Sequence, residues 1–316
     1  MHTTVLASAL LADLTPFNFG VFKNTLPAGL ADGSVYALAA LGLVLIYRVS
    51  GVLNFAHGAV ATVSAFVAYT FANMWMQNSA LGAWIGLVAA IVAGCVIGFV
   101  IEALTIRPLT GRPPIVKVAV TIGWLLVLQQ IAGLVWGFTA YHPQIDLVGE
   151  NTFPVPGTDV RFGYNHLLVF FTALALAGGT AYLLQRTTLG ASMRAVSDDA
   201  RGARLWGINV DRVTALSWVM GSAMAAVAGV LITPFILFTP FTLTLVVVNS
   251  FAAALLGRLQ SLTFTVIGAL VLGVVSELPA SFGAGGSASK EAVIFVVALL
   301  ALAVLFRPGV RATRTV

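Results

Sequence analysis

The sequence predicts an all-α polytopic membrane protein with about eight to nine transmembrane helices, its N-terminus outside and its C-terminus in the cytoplasm. Three observations lead there. Apolar residues make up 59% of the 316-residue chain and charged residues only 9%, against about a quarter in ordinary soluble domains. Those apolar residues fall in runs of about 20, the length that crosses about 30 Å of hydrocarbon at 1.5 Å per residue. Basic residues, finally, collect on alternate connections between the runs, as cytoplasmic loops do. A soluble domain is excluded by the mean hydropathy of +1.00, and disorder by the same figure, since unstructured chains need low hydrophobicity and high net charge. The net charge of +5 and pI near 9.7 do not signal nucleic acid, because the cations are scattered singly among apolar runs. Cys95 is the sole cysteine, which rules out an intrachain disulfide and a cysteine-based metal site.

Nine runs can be marked: Leu26 to Tyr47, Gly58 to Met76, Leu81 to Ile106, Val116 to Trp136, Leu167 to Leu184, Val213 to Ile236, Phe241 to Leu256, Leu262 to Leu278 and Ala292 to Phe306. The seventh and ninth are short, and the seventh and eighth can instead form a re-entrant pair inside protein, where non-helical backbone is tolerated. Residues Met1 to Phe22 lack the cationic start and small-residue cleavage pattern of a signal peptide, so the first run is read as the insertion signal. Alternating the spans from an outside N-terminus puts 13 of the 16 basic residues inside, all but Lys23, Arg161 and Lys290, which accounts for the high pI. The expected layout is an extracytoplasmic segment 1–25, a membrane domain 26–306 with an outer loop 137–165 and a charged inner segment 185–212, and a cytoplasmic tail 307–316.

Small residues four apart, Gly29 with Gly33, Gly94 with Gly98, and Gly221 with Ala225 and Gly229, are read as close helix packing in lipid. Two segments are not ordinary spans. In the first, Gly51, Asn54, His57 and Gly58 interrupt the stretch from Tyr47 to Gly58. A helix broken at membrane depth exposes backbone groups that hold a polar solute, and Asn54 and His57 add side-chain donors and acceptors; a plain interfacial turn is the other reading. The second runs from Gln185 to Arg212. Ser197 as N-cap, Asp198 and Asp199 at the positive end of the dipole and Gly207 as a left-handed terminator predict a short helix over 198–206, with Ala203 and Trp206 three apart on one side. So short a helix is marginal alone and is expected to pack against something; a basic loop on anionic headgroups is the other reading. Among polar residues within spans, Asp32 is the better candidate for a solute path, and Glu102, near Arg107, is expected to pair with a basic neighbour at the interface. Gln129, Gln130 and Asn249 suit interhelical hydrogen bonds, and Gln129 is also kept as a path candidate.

No phosphate-binding Gly-rich loop, His-Glu-x-x-His, nucleophile elbow or intramembrane carboxylate series occurs, and His2, His57, His142 and His166 are too dispersed for a metal site. The chain therefore reads as a conduit driven by something else, not an enzyme; an ion-gradient-driven secondary transporter or channel is the competing class.

The two special segments together resemble the permease subunit of bacterial branched-chain amino acid ABC importers, the LivH type. The first block is Gly-Ser-Val-Tyr-Ala-Leu-Ala-Ala-Leu-Gly (33–42) with Leu-Asn-Phe-Ala-His-Gly (53–58). The second is Met-Arg-Ala-Val-Ser-Asp-Asp (193–199), Leu-Trp-Gly-Ile-Asn-Val-Asp-Arg-Val (205–213) and Gly-Ser-Ala-Met-Ala-Ala-Val-Ala-Gly-Val-Leu (221–231). Thr121-Ile122-Gly123 with Leu128-Gln129 is a smaller match. The resemblance implies an importer half in the bacterial cytoplasmic membrane. Its implied partners are a second permease (LivM-like, or another copy), two cytoplasmic ATPases that bind ATP and Mg, an extracytoplasmic solute-binding protein and membrane lipid; this chain carries no cofactor and meets no nucleic acid. It further implies that residues 193–212 hold a coupling helix, with Asp198, Asp199, Ala203, Arg204, Trp206, Gly207 and Asn209, and that the Asn54–His57 break lies near the path. Three departures stand out: Ala59 where the family often has Glu after His-Gly, Gly257-Arg258-Leu259-Gln260-Ser261 where it shows a Gly-rich run, and Arg258 at a Gly position. Without that Glu an ammonium group lacks one counter-charge, and urea or amides are the alternative substrates.

Overall fold

The computed structural model describes residues 17–76, 79–141, 145, 147–149, 152–154, 161–283 and 286–305. The start of the expected outer segment, the cytoplasmic tail, and Asp146, Glu150 and Asp159 of the outer loop lie outside the described residues.

Every apolar run carries a helix. Phe19–Ser50 (α1) is capped by the Asn18 side chain, which accepts from the Gly20 and Val21 amides, and ends on Gly51 at φ +67°. His57–Tyr69 (α2) passes into a π-turn, Thr70–Trp75. Ala80–Ile101 (α3) ends likewise in a π-turn, Glu102–Ile106, and Pro114–Trp136 (α4) starts on a proline, which needs no amide partner there. A small antiparallel hairpin, Thr152–Pro154 (β1) with Arg161–Gly163 (β2), leads into Tyr164–Arg186 (α5). Two short helices follow, Thr188–Asp198 (α6) and Ala200–Leu205 (α7), then Val210–Ile232 (α8) with a 3₁₀ turn, Thr233–Phe235. Thr242–Leu256 (α9), Leu262–Ser276 (α10), Leu278–Ser281 (α11) and Ser287–Leu305 (α12) complete the order. Among the described residues, six helices are long and apolar enough to cross a membrane: α1, α3 with its π-turn, α4, α5, α8 with its 3₁₀ turn, and α10 with α11.

The core is α1. It is apolar all round because it is enclosed all round: every residue from Gly33 to Ile46 is buried, with α10 and α8 packed along it and α2 and α3 beyond. The small-residue stripes make these approaches possible. A Cβ on Gly29 would lie 2.7 Å from the Gly273 carbonyl oxygen and one on Gly33 2.8 Å from that of Ala269, both on α10. Gly94 meets Ser222 and Ala226 of α8 in the same way. At the end where α2, α4 and α8 stop, Phe66 lies against Phe238 and Trp136 at ring distances of 4.3 and 5.1 Å. Tyr141 and Phe238 exchange backbone hydrogen bonds there, and Trp136 donates to Thr70 Oγ1 at 2.8 Å. On the outside, Val88, Val92 and Val96 of α3 and Phe171 and Leu174 of α5 are exposed, an apolar girdle suited to hydrocarbon and not to water.

Candidate functional site

The interruption between α1 and α2 is a stretch of non-helical backbone folded into the bundle. After Gly51 the chain turns inward, burying Val52, Asn54 and Ala56. Backbone amides there need partners, and α4 supplies one: Thr121 Oγ1 accepts from the Phe55 amide at 3.2 Å and lies the same distance from the Leu53 carbonyl oxygen. Asn54 Oδ1 accepts from the Ala56 amide at 3.1 Å, forming the turn that starts α2. His57, the first residue of α2, is fully buried, and its ring packs where a Cβ on Gly42 would stand 2.7 Å from Cε1. Nδ2 of Asn54 meets no hydrogen-bond partner, and the Ala39 backbone faces the His57 ring. Gly58 admits the α9 backbone at Leu243 and Thr244, and Gln129 of α4 donates to Thr244 Oγ1 at 2.7 Å. Asn54, His57 and Gln129 therefore surround the first turn of α2, with Gln129 in the interhelical hydrogen bond expected of it. Thr121 entered the sequence reading only as part of a motif. Its side chain, which serves the broken backbone, has no periodic signal that marks it.

Asp32 stands apart. It lies ten residues before Gly42 on α1, about 15 Å along the axis. There it joins a charged group that the sequence did not assemble: Lys290 of α12 is 3.8 Å from Asp32 and ion-paired with Glu277 at the end of α10. Asn249 of α9 donates to the Tyr36 hydroxyl at 3.4 Å, one turn further along α1.

At the opposite end of α1 lies the charged segment. The structure corrects the expected helix over 198–206. Ser197 is not a cap: it falls in the last turn of α6, which runs to Asp198, and the chain breaks at Asp199 (φ −153°, ψ 102°), whose side chain accepts from the Arg201 amide at 2.9 Å to start α7. Two helices meet at Asp199 because Met193 and Val196 on one side and Ala203 on the other all turn into the bundle. Nor do Ala203 and Trp206 share an environment. Ala203 is buried, while Trp206 has left the helix as its C-cap and is 88% exposed, next to Leu205 at 90%. Gly207 is left-handed, φ +79°, as expected of a terminator. Asn209 then caps α8 by accepting from the Arg212 amide at 3.0 Å, and Arg204 reaches Asp211 at 2.9 Å. Asp198 is exposed beside a cavity that also touches Tyr47 and Arg48. Glu102 is buried and bound to Arg107 at 2.7 Å, the pairing the sequence predicts. Arg258, which the resemblance set at a glycine position, sits at φ +55° and Leu259 at φ +57°, a conformation in which glycine is unstrained.

The geometry is that of a helical bundle with an irregular, polar-lined break near one end of its central helix and a two-residue apolar knob beyond that end. Residues 25–305 match the family described as branched-chain amino acid transport system / permease component. The chain is 32% identical over 295 residues to the high-affinity branched-chain amino acid transport system permease protein BraD of Pseudomonas aeruginosa, covering 91% of this chain and 94% of that one. To the corresponding permease protein LivH of Escherichia coli K12 it is 30% identical over 298 residues, with the same coverage. A probable branched-chain amino acid transport permease protein LivH of Methanocaldococcus jannaschii is 28% identical over 272 residues, 83% of this chain and 84% of that one. Since the match runs from the first turns of α1 to the end of α12, the chain belongs to the family of branched-chain amino acid transport system permease components.

Proposed function

We propose that this chain is the membrane-spanning permease subunit of an ABC importer in the bacterial cytoplasmic membrane. It carries branched-chain or other hydrophobic amino acids, or a related small polar solute, and is driven by ATP hydrolysed with Mg on two partner ATPases. A second permease, LivM-like or another copy, completes the pathway, and an extracytoplasmic binding protein delivers the solute to the face that includes the outer loop 137–165. The helices at all nine runs are proposed to span or enter the membrane, with residues 1–25 outside, 26–306 as the membrane domain and 307–316 in the cytoplasm.

The observation that carries the reading is the exposed pair Leu205 and Trp206. Large apolar side chains on a charged, water-facing segment are favourable only when something covers them. Here they cap α7, which Asp199, Gly207 and Asn209 hold in shape and which Ala203 fastens to the bundle. A knob so mounted transmits a push from a docked ATPase into α6 and α8, and through α8 to α1. The break supports the other half of the proposal. Asn54 is buried beside His57 with Nδ2 unpartnered, which costs on the order of 1–3 kcal/mol; a conformation that opens this seam to water and solute relieves that cost, while Gln129 steadies the seam and Asp32 stands toward the outer mouth. A ligand shifts such an exchange only by its differential affinity for the two states.

Replacing Trp206 with Asp is expected to abolish solute-stimulated ATP hydrolysis by the reconstituted complex in liposomes while the permease still inserts. Stimulation equal to wild type in the variant rejects the docking role.

A further inference from the structure

We propose that a cavity between α1, α5, α6 and α10 binds the phosphate of an anionic phospholipid headgroup. The cavity measures about 280 Å³ and receives Arg48 from the last turn of α1 and Arg194 from α6, with the amides of Gln185 and Gln260 at its sides and Ala181 and Leu184 of α5 as an apolar wall. No carboxylate lines it among the described residues. The ion pairs found among those residues engage Arg107, Arg204 and Lys290, so Arg48 and Arg194 have no carboxylate within 4.0 Å. Asp198 lies in an adjoining cavity that shares Arg48 and Gln260. Nη1 of Arg194 is buried with no hydrogen-bond partner. A guanidinium nitrogen withdrawn from water without an acceptor is costly, and a planar donor fork beside a second arginine matches the oxygens of a phosphate.

The surface leading to the cavity indicates that the anion belongs to an amphiphile. Phe171, Leu174, Gly178, Ala181 and Gln185 follow one another at spacings of three and four, a single stripe along α5. Phe171 and Leu174 are exposed, and a Cβ at Gly178 would meet nothing within 4 Å. The stripe is thus an apolar track that ends at two cations, the arrangement expected where a headgroup binds between helices at a charged membrane face and its chains lie against the span. Because Arg194 belongs to α6, which continues into α7, a bound headgroup ties the start of the coupling segment to the bilayer. The lipid site itself does not depend on the transport reading.

The test is native mass spectrometry of the full chain released from mild detergent after titration with phosphatidylglycerol, phosphatidylcholine or inorganic phosphate. Wild type is expected to retain one tightly held phosphatidylglycerol that Arg48→Gln with Arg194→Gln binds on the order of tenfold more weakly. Arg194→Lys is expected to restore part of that binding, and Lys117→Gln, on the same face but outside the cavity, to bind as wild type does. Retention unchanged in the double variant, with its helical circular dichroism intact, overturns the site. Equal retention of phosphatidylcholine overturns the anionic class, and displacement of phosphatidylglycerol by millimolar inorganic phosphate shows a free-anion site instead of a lipid site.

Discussion

Glu102 and Arg107 show how a single pair depends on the backbone that presents it. Five residues apart on an α-helix, they would point about 140° away from each other. The π-turn at the end of α3 removes that divergence: the Arg107 amide donates to the Glu102 carbonyl oxygen at 2.8 Å, and the guanidinium closes on the carboxylate through Nη2 at 2.7 Å and Nε at 3.3 Å. The partners of the ion pair were legible in the sequence; the π-turn was not, because nothing in Glu-Ala-Leu-Thr-Ile distinguishes it from a further α-turn. The two side chains are unequally placed, Glu102 1% exposed and Arg107 39%. Removing the arginine strands a buried charge, whereas removing the carboxylate leaves a cation that water reaches. Arg107→Ala is therefore expected to destabilise the detergent-solubilised protein by about 3–5 kcal/mol and Glu102→Gln by about 1 kcal/mol. Thermal unfolding followed by tryptophan fluorescence measures both, and a larger loss for Glu102→Gln contradicts the assignment.

At the scale of elements, the segment from α6 to α8 was half legible. Its terminator was identified by residue type: Gly207 ends α7 as its φ preference demands. Which of Ser197, Asp198 and Asp199 starts the helix was not, since all three are good caps; the choice falls to Asp199 because burying Val196 and Ala203 together requires a bend between them. The exposure of Leu205 and Trp206 was equally hidden, for an apolar residue in a sequence announces burial somewhere without saying against which chain. Two substitutions separate the shape of the knob from its charge. Gly207 has open space around it, so Gly207→Val pays only in backbone strain, about 1–2 kcal/mol. That is comparable to what holds so short a helix, and solute-stimulated ATP hydrolysis is expected to fall several-fold. Asp211→Asn breaks an ion pair that is half in water on both sides, worth about 0–1 kcal/mol, and is expected to leave stimulation unchanged. Equal losses from both would make the charge, not the rod, the coupling feature.

The whole molecule has two chemically different ends. Arg107, Lys117 and Arg204 line one cavity and Arg48 and Arg194 another, at the end where α1, α3 and α5 stop and α4, α8 and α10 begin. The opposite end holds Lys290 among carboxylates. A helix lies at each of the nine apolar runs, because each run is bounded by charged, polar, glycine or proline residues. The sequence could not separate full spans from partial ones, since α2 has 13 residues before its π-turn and α9 only 15, lengths that composition does not interpret. Orientation is independent of that count if α9 and α10 enter as a pair. Cations at translocated positions are costly, so the arginine-rich end is the one proposed to be retained in the cytoplasm. In a Cys95→Ala background, a membrane-impermeant thiol reagent applied to intact cells is accordingly expected to modify a cysteine at Ala288, exposed beside Lys290, and to reach one at Arg201 only after permeabilisation. Labelling of the position 201 cysteine in sealed cells would put Trp206 on the side without ATP, where no ATPase can push it, and the proposed coupling would have no physical basis.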